Sequence, residues 1–159
     1  MKRQAYEWLM LAAFVGACFL AAGVGSVWSP QRQETSAWYD SLRRPAFTPP
    51  GWLFGPVWTV LYFLMALAAW LVWRKAGFGR PVAIFAVQLA LNACWTVLFF
   101  GLRRPDLAFA EIVILWAAIV ATMVTFARVC RPAAWLLAPY LAWVSFAAVL
   151  NAAFWRLNA

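Results

Sequence analysis

The chain has 159 residues, of which 67% are hydrophobic and only 11% are charged. A soluble domain is about 45–50% apolar, so this composition excludes an ordinary soluble globular protein. The formal net charge of +8 would suggest nucleic-acid binding in a soluble protein, but here lysine and arginine fall at the ends of apolar runs, where they meet lipid headgroups, and we expect no nucleic-acid partner.

Five stretches are long enough to cross a hydrocarbon core, which needs about 20 apolar residues each. The sequence therefore predicts an all-α integral membrane bundle in a single domain over residues 1–159, because a spanning segment must satisfy its own backbone hydrogen bonds. The basic residues are divided almost evenly between the two ends of the bundle, so its orientation stays open. The predicted spans lie near residues 8–28, 52–73, 82–102, 107–127 and 133–155.

The first span follows Lys2 and Arg3 and has features of a signal peptide, with Cys18 as a possible lipid-anchor site. Its apolar run is longer than the usual hydrophobic region of about 7–15 residues, so we favour a retained span over a cleaved one. Small residues recur along it and allow another helix to approach closely, either within the monomer or across a dimer. This stripe consists of Ala13, Ala17, Ala21 and Gly25.

The connector 29–49 is the only long one between the predicted spans. Its prolines interrupt any continuous helix, and a new helix is expected to begin at Pro50-Gly51. A connector of about 20 residues in a tight bundle is usually functional or disordered. Its aromatic residues, among them Trp38 and Tyr39, argue against disorder. We therefore predict a lid that folds over a site and presents Arg43 and Arg44 to it.

The second and third spans each have a stripe of aromatic or amide side chains at helical spacing. The stripes comprise Trp58, Tyr62, Met65 and Ala69 in the second span, and Gln88, Asn92, Trp95 and Phe99 in the third. Amides are costly in hydrocarbon unless they face the bundle or a cavity, so both stripes are expected to point inward. The amides either bond to neighbouring helices or line a cavity. Trp95 favours a cavity, because its flat ring suits a planar, mostly apolar ligand.

The fourth span is predicted to begin at Pro105 and Asp106, where an acid suits the positive end of a helix. Glu111 lies about one turn deeper, and an acid at that depth needs a partner. We expect it to pair with Arg103 or Arg104, in preference to a proton-transfer or ligand-binding role.

The fifth span has a further stripe, in which a small residue opposite large aromatic ones leaves room for a ligand. It consists of Trp143, Ala147, Leu150 and Phe154, with Asn151 as a polar outlier. The chain has no histidine, and Cys18, Cys94 and Cys130 form no CxxC pair, so the usual parts of metal sites and His-dependent triads are missing. We predict no metal site and no required cofactor.

These patterns resemble the TspO/MBR family, which comprises the tryptophan-rich sensory proteins of bacteria and the mitochondrial translocator protein, also called the peripheral benzodiazepine receptor. Five spans with a long loop after the first add an architectural match. The motifs are WY-x-x-L-x-x-P-x-x-x-PP at 38–50, W-x-x-LY-x-x-M at 58–65, Q-x-x-x-N-x-x-W at 88–95 and PY-x-x-W…A-x-x-LN at 139–151.

The resemblance implies a multi-pass protein of a bacterial cell membrane, inner or outer, that is in contact with lipid and commonly forms a homodimer. It also implies binding of porphyrins such as protoporphyrin IX and haem, with sterols and isoquinoline- or benzodiazepine-type drugs also accommodated. The implied binding residues are Tyr39, Trp58, Asn92, Trp95, Trp143, Ala147 and Leu150. The inward stripes add Tyr62, Gln88 and Phe99. The lid adds Arg43 and Arg44, of which one or the other is expected to bind the porphyrin propionates.

The leading hypothesis is a membrane receptor or carrier for tetrapyrroles that contributes to their transport or regulation. The first alternative is light-dependent oxidative breakdown of bound protoporphyrin IX, because Trp58 and Trp143 match tryptophans that family members use in that reaction. The sequence indicates no other catalytic residue.

A second alternative is a sterol-, lipid- or partner-binding scaffold whose tryptophans mark the membrane interfaces. The residues that suggest it are Trp8, Trp28, Trp73 and Trp155. In animal members, the sterol-recognition stretch has a tyrosine after its Leu-Asn pair. Here Ala152 follows Leu150 and Asn151, so sterol binding through this stretch is not expected.

Overall fold

The computed structural model describes residues 2–28 and 33–159, and all regular structure in these residues is helical. The helices are α1 (Lys2–Val27), α2 (Gln33–Ser41), α3 (Gly51–Ala76), α4 (Arg80–Thr96), α5 (Pro105–Val129), α6 (Arg131–Leu136) and α7 (Ala138–Asn158), with a π-helical turn at Val97–Gly101 after α4.

Five helical stretches are long and apolar enough to span a membrane, which confirms the predicted all-α membrane bundle. Each is longer than the predicted apolar run, because the helices continue into segments that contain charged residues such as Arg74 and Lys75. The stretches are Arg3–Val27, Gly51–Ala76, Arg80–Gly101, Pro105–Val129 and Arg131–Asn158.

Proline and glycine set several helix ends. Pro50 has an extended backbone, and α3 begins at the next residue, as the sequence predicted. The same helix ends before Gly77, whose φ of +67° lies in the left-handed region that favours glycine. Pro105 occupies the first turn of α5, where its missing N–H has no cost.

The fifth span is interrupted, although the sequence predicted a continuous stretch. The short helix α6 ends at Leu136, and α7 begins at Ala138. Pro139 has no N–H to donate to the preceding turn, which explains the break at this position. Both pieces remain within one apolar stretch long enough to span a membrane.

The connector after α1 contains a helix that the sequence analysis did not predict. Its helix α2 is followed by a non-helical segment that reaches Pro50. We call residues 33–50 the lid; residues 29–32 of the predicted connector lie outside the described part. Pro45 is buried, so the lid is packed onto the rest of the protein.

The membrane-spanning helices form one bundle in which α1 packs against α3 and α4, while α5 packs against α4 and α7. Small residues of α3, including Ala66 and Ala69, are fully buried at its centre and allow the helices to approach closely. In the α1 stripe, Ala13 and Ala17 are exposed, whereas Gly25 faces α4.

The tryptophans near the span ends are not all at the surface. Trp8, Trp28 and Trp155 are exposed, as expected for residues at the membrane interfaces. Trp73 is instead buried and packs against the rings of Tyr6 and Phe14. The scaffold hypothesis is therefore consistent with only part of this set.

We predict that Gly25→Leu lowers thermal stability in detergent, because a Cβ on Gly25 would already lie 3.2 Å from the Thr96 side-chain oxygen. Overpacking of this kind costs about 1–3 kcal/mol. The matched control is Gly16→Leu, since a Cβ at Gly16 meets nothing within 4 Å. The measurement is a melting curve in which size-exclusion chromatography gives the fraction of folded protein left after heating to each temperature. Equal melting temperatures for the two variants would contradict close α1–α4 packing.

Candidate functional site

A cavity of about 380 Å³ lies inside the bundle beneath the lid. Its walls come from α1, α3, the α4 segment with its π-helical turn, and α7, and its lid side includes Tyr39, Arg44, Thr48 and Pro49. This volume is within the range of about 300–1,000 Å³ that is typical of small-molecule sites. The cavity is therefore the candidate functional site.

Ten of the twelve predicted site residues line this cavity. They are Tyr39, Arg44, Trp58, Tyr62, Asn92, Trp95, Phe99, Trp143, Ala147 and Leu150. The other two, Arg43 and Gln88, do not line it. Whether the ten bind a ligand stays a prediction, but the structure brings them together around one space.

Arg43 is one of the two predicted residues that lie outside the cavity. Its side chain is exposed and does not line the cavity, whereas its backbone is hydrogen-bonded to the side chain of Asn158. Arg43 and Arg44 lie in a non-helical segment, where consecutive side chains point to different sides. Only Arg44 of the pair therefore faces the cavity.

Gln88 is the other predicted residue outside the cavity. It is almost fully buried, one helical turn below Asn92, and its Nε2 lies 4.0 Å from the Met65 sulfur. Its position among packed core residues fits the alternative reading of the sequence, in which the amide contacts neighbouring helices. Of the two amides in the α4 stripe, Asn92 therefore lines the cavity and Gln88 does not.

Three indole rings from three helices surround the cavity. Each one is held by another aromatic ring: Trp58 lies 5.4 Å from Tyr62, and Trp95 is stacked on Phe99 with ring centroids 5.2 Å apart. Trp143 contacts the edge of Phe54 at 5.8 Å. These contacts fix the orientation of the rings, so the walls are preformed, flat and largely apolar.

The polar atoms of the walls are largely bonded to each other. The Tyr62 hydroxyl donates to Asn92 Oδ1 at 2.7 Å, and Trp95 Nε1 donates to Asn151 Oδ1 at 3.0 Å. The amide of Asn151 in turn donates to the Pro105 carbonyl at 2.8 Å. Because these donors and acceptors are paired within the protein, the surface left for a ligand is mainly apolar.

The π-helical turn that ends the third span supports the lid. It places Phe99 and Phe100 at adjacent positions, where Trp38 approaches Phe99 with ring centroids 5.9 Å apart and Tyr39 approaches Phe100 at 5.6 Å. Such turns occur often at functional sites, because the extra residue redirects side chains. Helical periodicity could not predict this turn.

Arg44 is the only charged residue among the described residues that line the cavity. Its guanidinium forms an ion pair with Asp40 and lies 4.8 Å above the ring of Tyr39. Burial raises the pKa of the Tyr39 hydroxyl, and the nearby Arg44 charge only partly opposes this shift. The lid side of the cavity therefore has one positive charge beside a neutral phenol.

Comparison with known proteins identifies the chain. The family model described as TspO/MBR family matches residues 14–156, nearly the whole sequence. The chain belongs to the TspO/MBR family. It is an integral, multi-pass membrane protein, as the sequence predicted.

Relatives in this family come from distant organisms. The chain is 44% identical to the tryptophan-rich protein TspO of Chlorobaculum tepidum, over 94% of this chain and 96% of that protein. It is 40% identical to a tryptophan-rich sensory protein of Cereibacter sphaeroides, with coverages of 96% and 93%. It is 38% identical to the human translocator protein, with coverages of 95% and 91%.

Several lining residues of this TspO/MBR protein were not among the predicted site residues. They include Phe19, Ser26, Phe54, Thr59, Thr96, Phe100, Asn151 and Phe154. Nothing in the sequence indicates those from α1, because that span has no polar or aromatic stripe. Asn151 was recognised as a polar outlier, and its spacing of four residues from Ala147 could have assigned it to the same wall.

Glu111 corrects a further expectation. It is buried in α5, and neither carboxylate oxygen has a hydrogen-bond partner among the described residues. Arg104, one of the two expected partners, forms its ion pair with Asp106 instead, at 2.6 Å. Asp106 is only two residues from Arg104, so the two side chains can pair readily. Glu111 is seven residues from Arg104, which is nearly two helical turns.

We predict that Glu111→Gln raises the melting temperature of the detergent-solubilised protein. A buried carboxyl group without a partner costs about 1–3 kcal/mol, and more when charged, whereas an amide cannot ionise. Asp106→Asn is the control, because it removes an exposed ion pair and should leave stability the same or slightly lower. A loss of stability in Glu111→Gln would show that the carboxylate has a compensating interaction.

Proposed function

We propose that the protein is a membrane receptor for tetrapyrroles such as protoporphyrin IX and haem, which it holds beneath the lid for transport or regulation. Membership of the TspO/MBR family supports the coarser assignment of a membrane receptor role. The finer assignment rests on the shape of the cavity and on the position of Arg44 at its lid side.

The walls favour a flat and mostly apolar ligand. The indoles of Trp58, Trp95 and Trp143 come from α3, α4 and α7 and surround one space. A macrocycle between them would bury a large apolar area and stack on aromatic faces, which adds about 0.5–1.5 kcal/mol per ring pair beyond the area buried. Globular ligands would use these flat surfaces less well.

The placement of Arg44 is the observation that most supports a tetrapyrrole. A porphyrin has carboxylates on one edge, and a ligand with its apolar rings between the indoles would bring that edge to the lid. There Arg44 would donate charge-assisted hydrogen bonds to a propionate. Its present partner Asp40 is mostly exposed, so exchange of Asp40 for a ligand carboxylate costs little.

Other expected properties stay predictions. They are the binding of sterols and of isoquinoline- or benzodiazepine-type drugs, and assembly into a homodimer. The cavity would admit apolar ligands of several kinds, because its wall atoms impose few hydrogen-bonding demands. A carboxylate on the ligand is what would give porphyrins an advantage over neutral ligands.

We predict that Arg44→Gln weakens protoporphyrin IX binding about tenfold, or about 1.4 kcal/mol, near the lower end for hydrogen bonds to charged groups. The dimethyl ester of protoporphyrin IX has no carboxylate and should bind wild type and variant equally. Dissociation constants come from quenching of tryptophan fluorescence in detergent.

Arg43→Gln is the matched control for this experiment. It removes the same charge one residue earlier from a side chain that does not line the cavity, so the affinity for protoporphyrin IX should not change. Equal losses in both variants would indicate a general charge effect. Unchanged quenching after Trp58, Trp95 and Trp143 are all replaced by phenylalanine would refute this cavity as the binding site.

A second candidate function is light-driven oxidation of bound protoporphyrin IX by dioxygen. It is favoured by the position of Trp58 and Trp143 on α3 and α7, which line the same cavity. A porphyrin bound there would absorb light next to two electron-rich indoles. The receptor role remains the leading proposal, because family membership supports a membrane receptor role.

For this second function, Trp143→Phe should reduce the light-dependent bleaching of bound protoporphyrin IX to the rate of the free porphyrin in the same detergent. Absorbance during illumination provides the rate, and mass spectrometry identifies the products. Trp116→Phe is the control, because Trp116 is exposed and does not line the cavity. If wild type bleaches porphyrin no faster than detergent does, the degradation function is excluded.

A further inference from the structure

The last helix is hydrogen-bonded to the lid through a single side chain. Asn158, the final residue of α7, accepts a hydrogen bond from the Arg43 backbone N–H at 2.9 Å. Its Nδ2 donates to the carbonyl oxygen of the same residue at 3.1 Å. The two bonds join parts of the chain that are 115 residues apart, and no other described hydrogen bond joins residues 36–49 to α7.

We propose that Asn158 is a positioning residue that holds the lid closed and thereby sets how long a ligand stays in the cavity. The nature of the ligand rests on the proposed function, whereas the lid contact itself does not. Asn158 does not line the cavity, so it would act through the backbone of Arg43.

The chemistry of asparagine suits this task. A primary amide presents one acceptor and two donor hydrogens, and so it can satisfy the N–H and the C=O of one residue together. The remaining donor hydrogen of Asn158 bonds to the Phe154 carbonyl at 2.9 Å. Phe154 lies one helical turn before Asn158, so this third bond also orients the amide.

The hydrogen bonds between Asn158 and Arg43 lie next to the lid residues that line the cavity. Arg43 directly precedes Arg44, which lines the cavity, and Tyr39, four residues earlier in the chain, lines it too. Tyr39 also packs on Phe154, with ring centroids 5.6 Å apart. Hydrogen bonds at Arg43 and ring contacts at Tyr39 thus attach the lid to the same end of α7, and opening must break both.

Asn158 bonds to backbone atoms of Arg43, so its effect on the lid can be separated from any effect of the Arg43 side-chain charge. Replacing the Arg43 side chain should leave the contact intact, whereas replacing the Asn158 side chain should abolish it. Asn158→Leu is the sharpest change, because leucine has nearly the same shape as asparagine and no hydrogen-bonding group. Leu157→Ala is the matched control, since Leu157 is the exposed neighbouring residue on α7.

The first measurement requires no ligand. Trypsin can cleave after Arg43 only when this segment leaves the protein surface, and Pro45 prevents cleavage after Arg44. In detergent, Asn158→Leu and Asn158→Ala should increase the rate of cleavage after Arg43 about 5- to 30-fold, which corresponds to about 1–2 kcal/mol. Mass spectrometry of the fragments gives this rate, and cleavage after Lys75 in the same sample serves as an internal standard that should not change.

The second measurement uses protoporphyrin IX as the probe. Bound porphyrin is chased with excess lipid vesicles, and recovery of tryptophan fluorescence gives the release rate. Both Asn158 variants should release it about 5- to 30-fold faster and also bind it faster, because an opened lid speeds passage in both directions. Leu157→Ala should behave as wild type, and the melting temperature without ligand should change little in all variants.

The outcomes separate the two proposals. Faster cleavage with faster release supports the role of Asn158, whereas unchanged cleavage after Arg43 overturns it. Faster cleavage with unchanged release overturns its role in ligand retention. If wild type does not bind protoporphyrin IX, the proposed function fails, and the cleavage rates still decide whether Asn158 holds the lid.

Discussion

The hydrogen bond from Trp95 to Asn151 is the interaction on which the cavity most depends. It joins α4 to α7, and the Asn151 amide continues to the first residue of α5. Within a membrane, an unpaired N–H or amide group is costly, so these partners hold each other in place. The indole of Trp95 is thereby held in the cavity wall, and the surface left for a ligand is mainly apolar because these polar atoms are bonded to each other.

The lid follows a different physical rule. Its hydrogen bonds to Asn158 are exposed, and water competes for them, so its attachment is weaker and reversible. Aromatic contacts with Phe99, Phe100 and Phe154 provide the buried apolar area that holds the lid. The hydrogen bonds of Asn158 fix the position of the lid along the end of α7. A rigid aromatic chamber and an openable cover together suit a receptor that must release what it binds.

Sequence periodicity predicted the inward faces of the spans well, because helical spacing is a local property. Trp58 and Tyr62, or Trp143 and Ala147, share a face in any regular helix. Helical spacing did not predict the contacts of residues in an irregular helical turn, and it did not predict how far along a helix the cavity extends. Gln88 shares the stripe of Asn92 but lies below the cavity floor, and the π-helical turn displaced Phe100 into contact with the lid.

Local chemistry was enough to establish five membrane spans, a proline-rich lid and aromatic stripes, since apolar length, proline geometry and side-chain spacing act within a few turns of chain. Distant pairings depended on the packed bundle: which of Arg43 and Arg44 turns inward, how Glu111 loses its expected partner, and how Asn158 meets a backbone 115 residues away. Such contacts follow from the relative placement of helices, which many residues determine jointly and no short motif encodes.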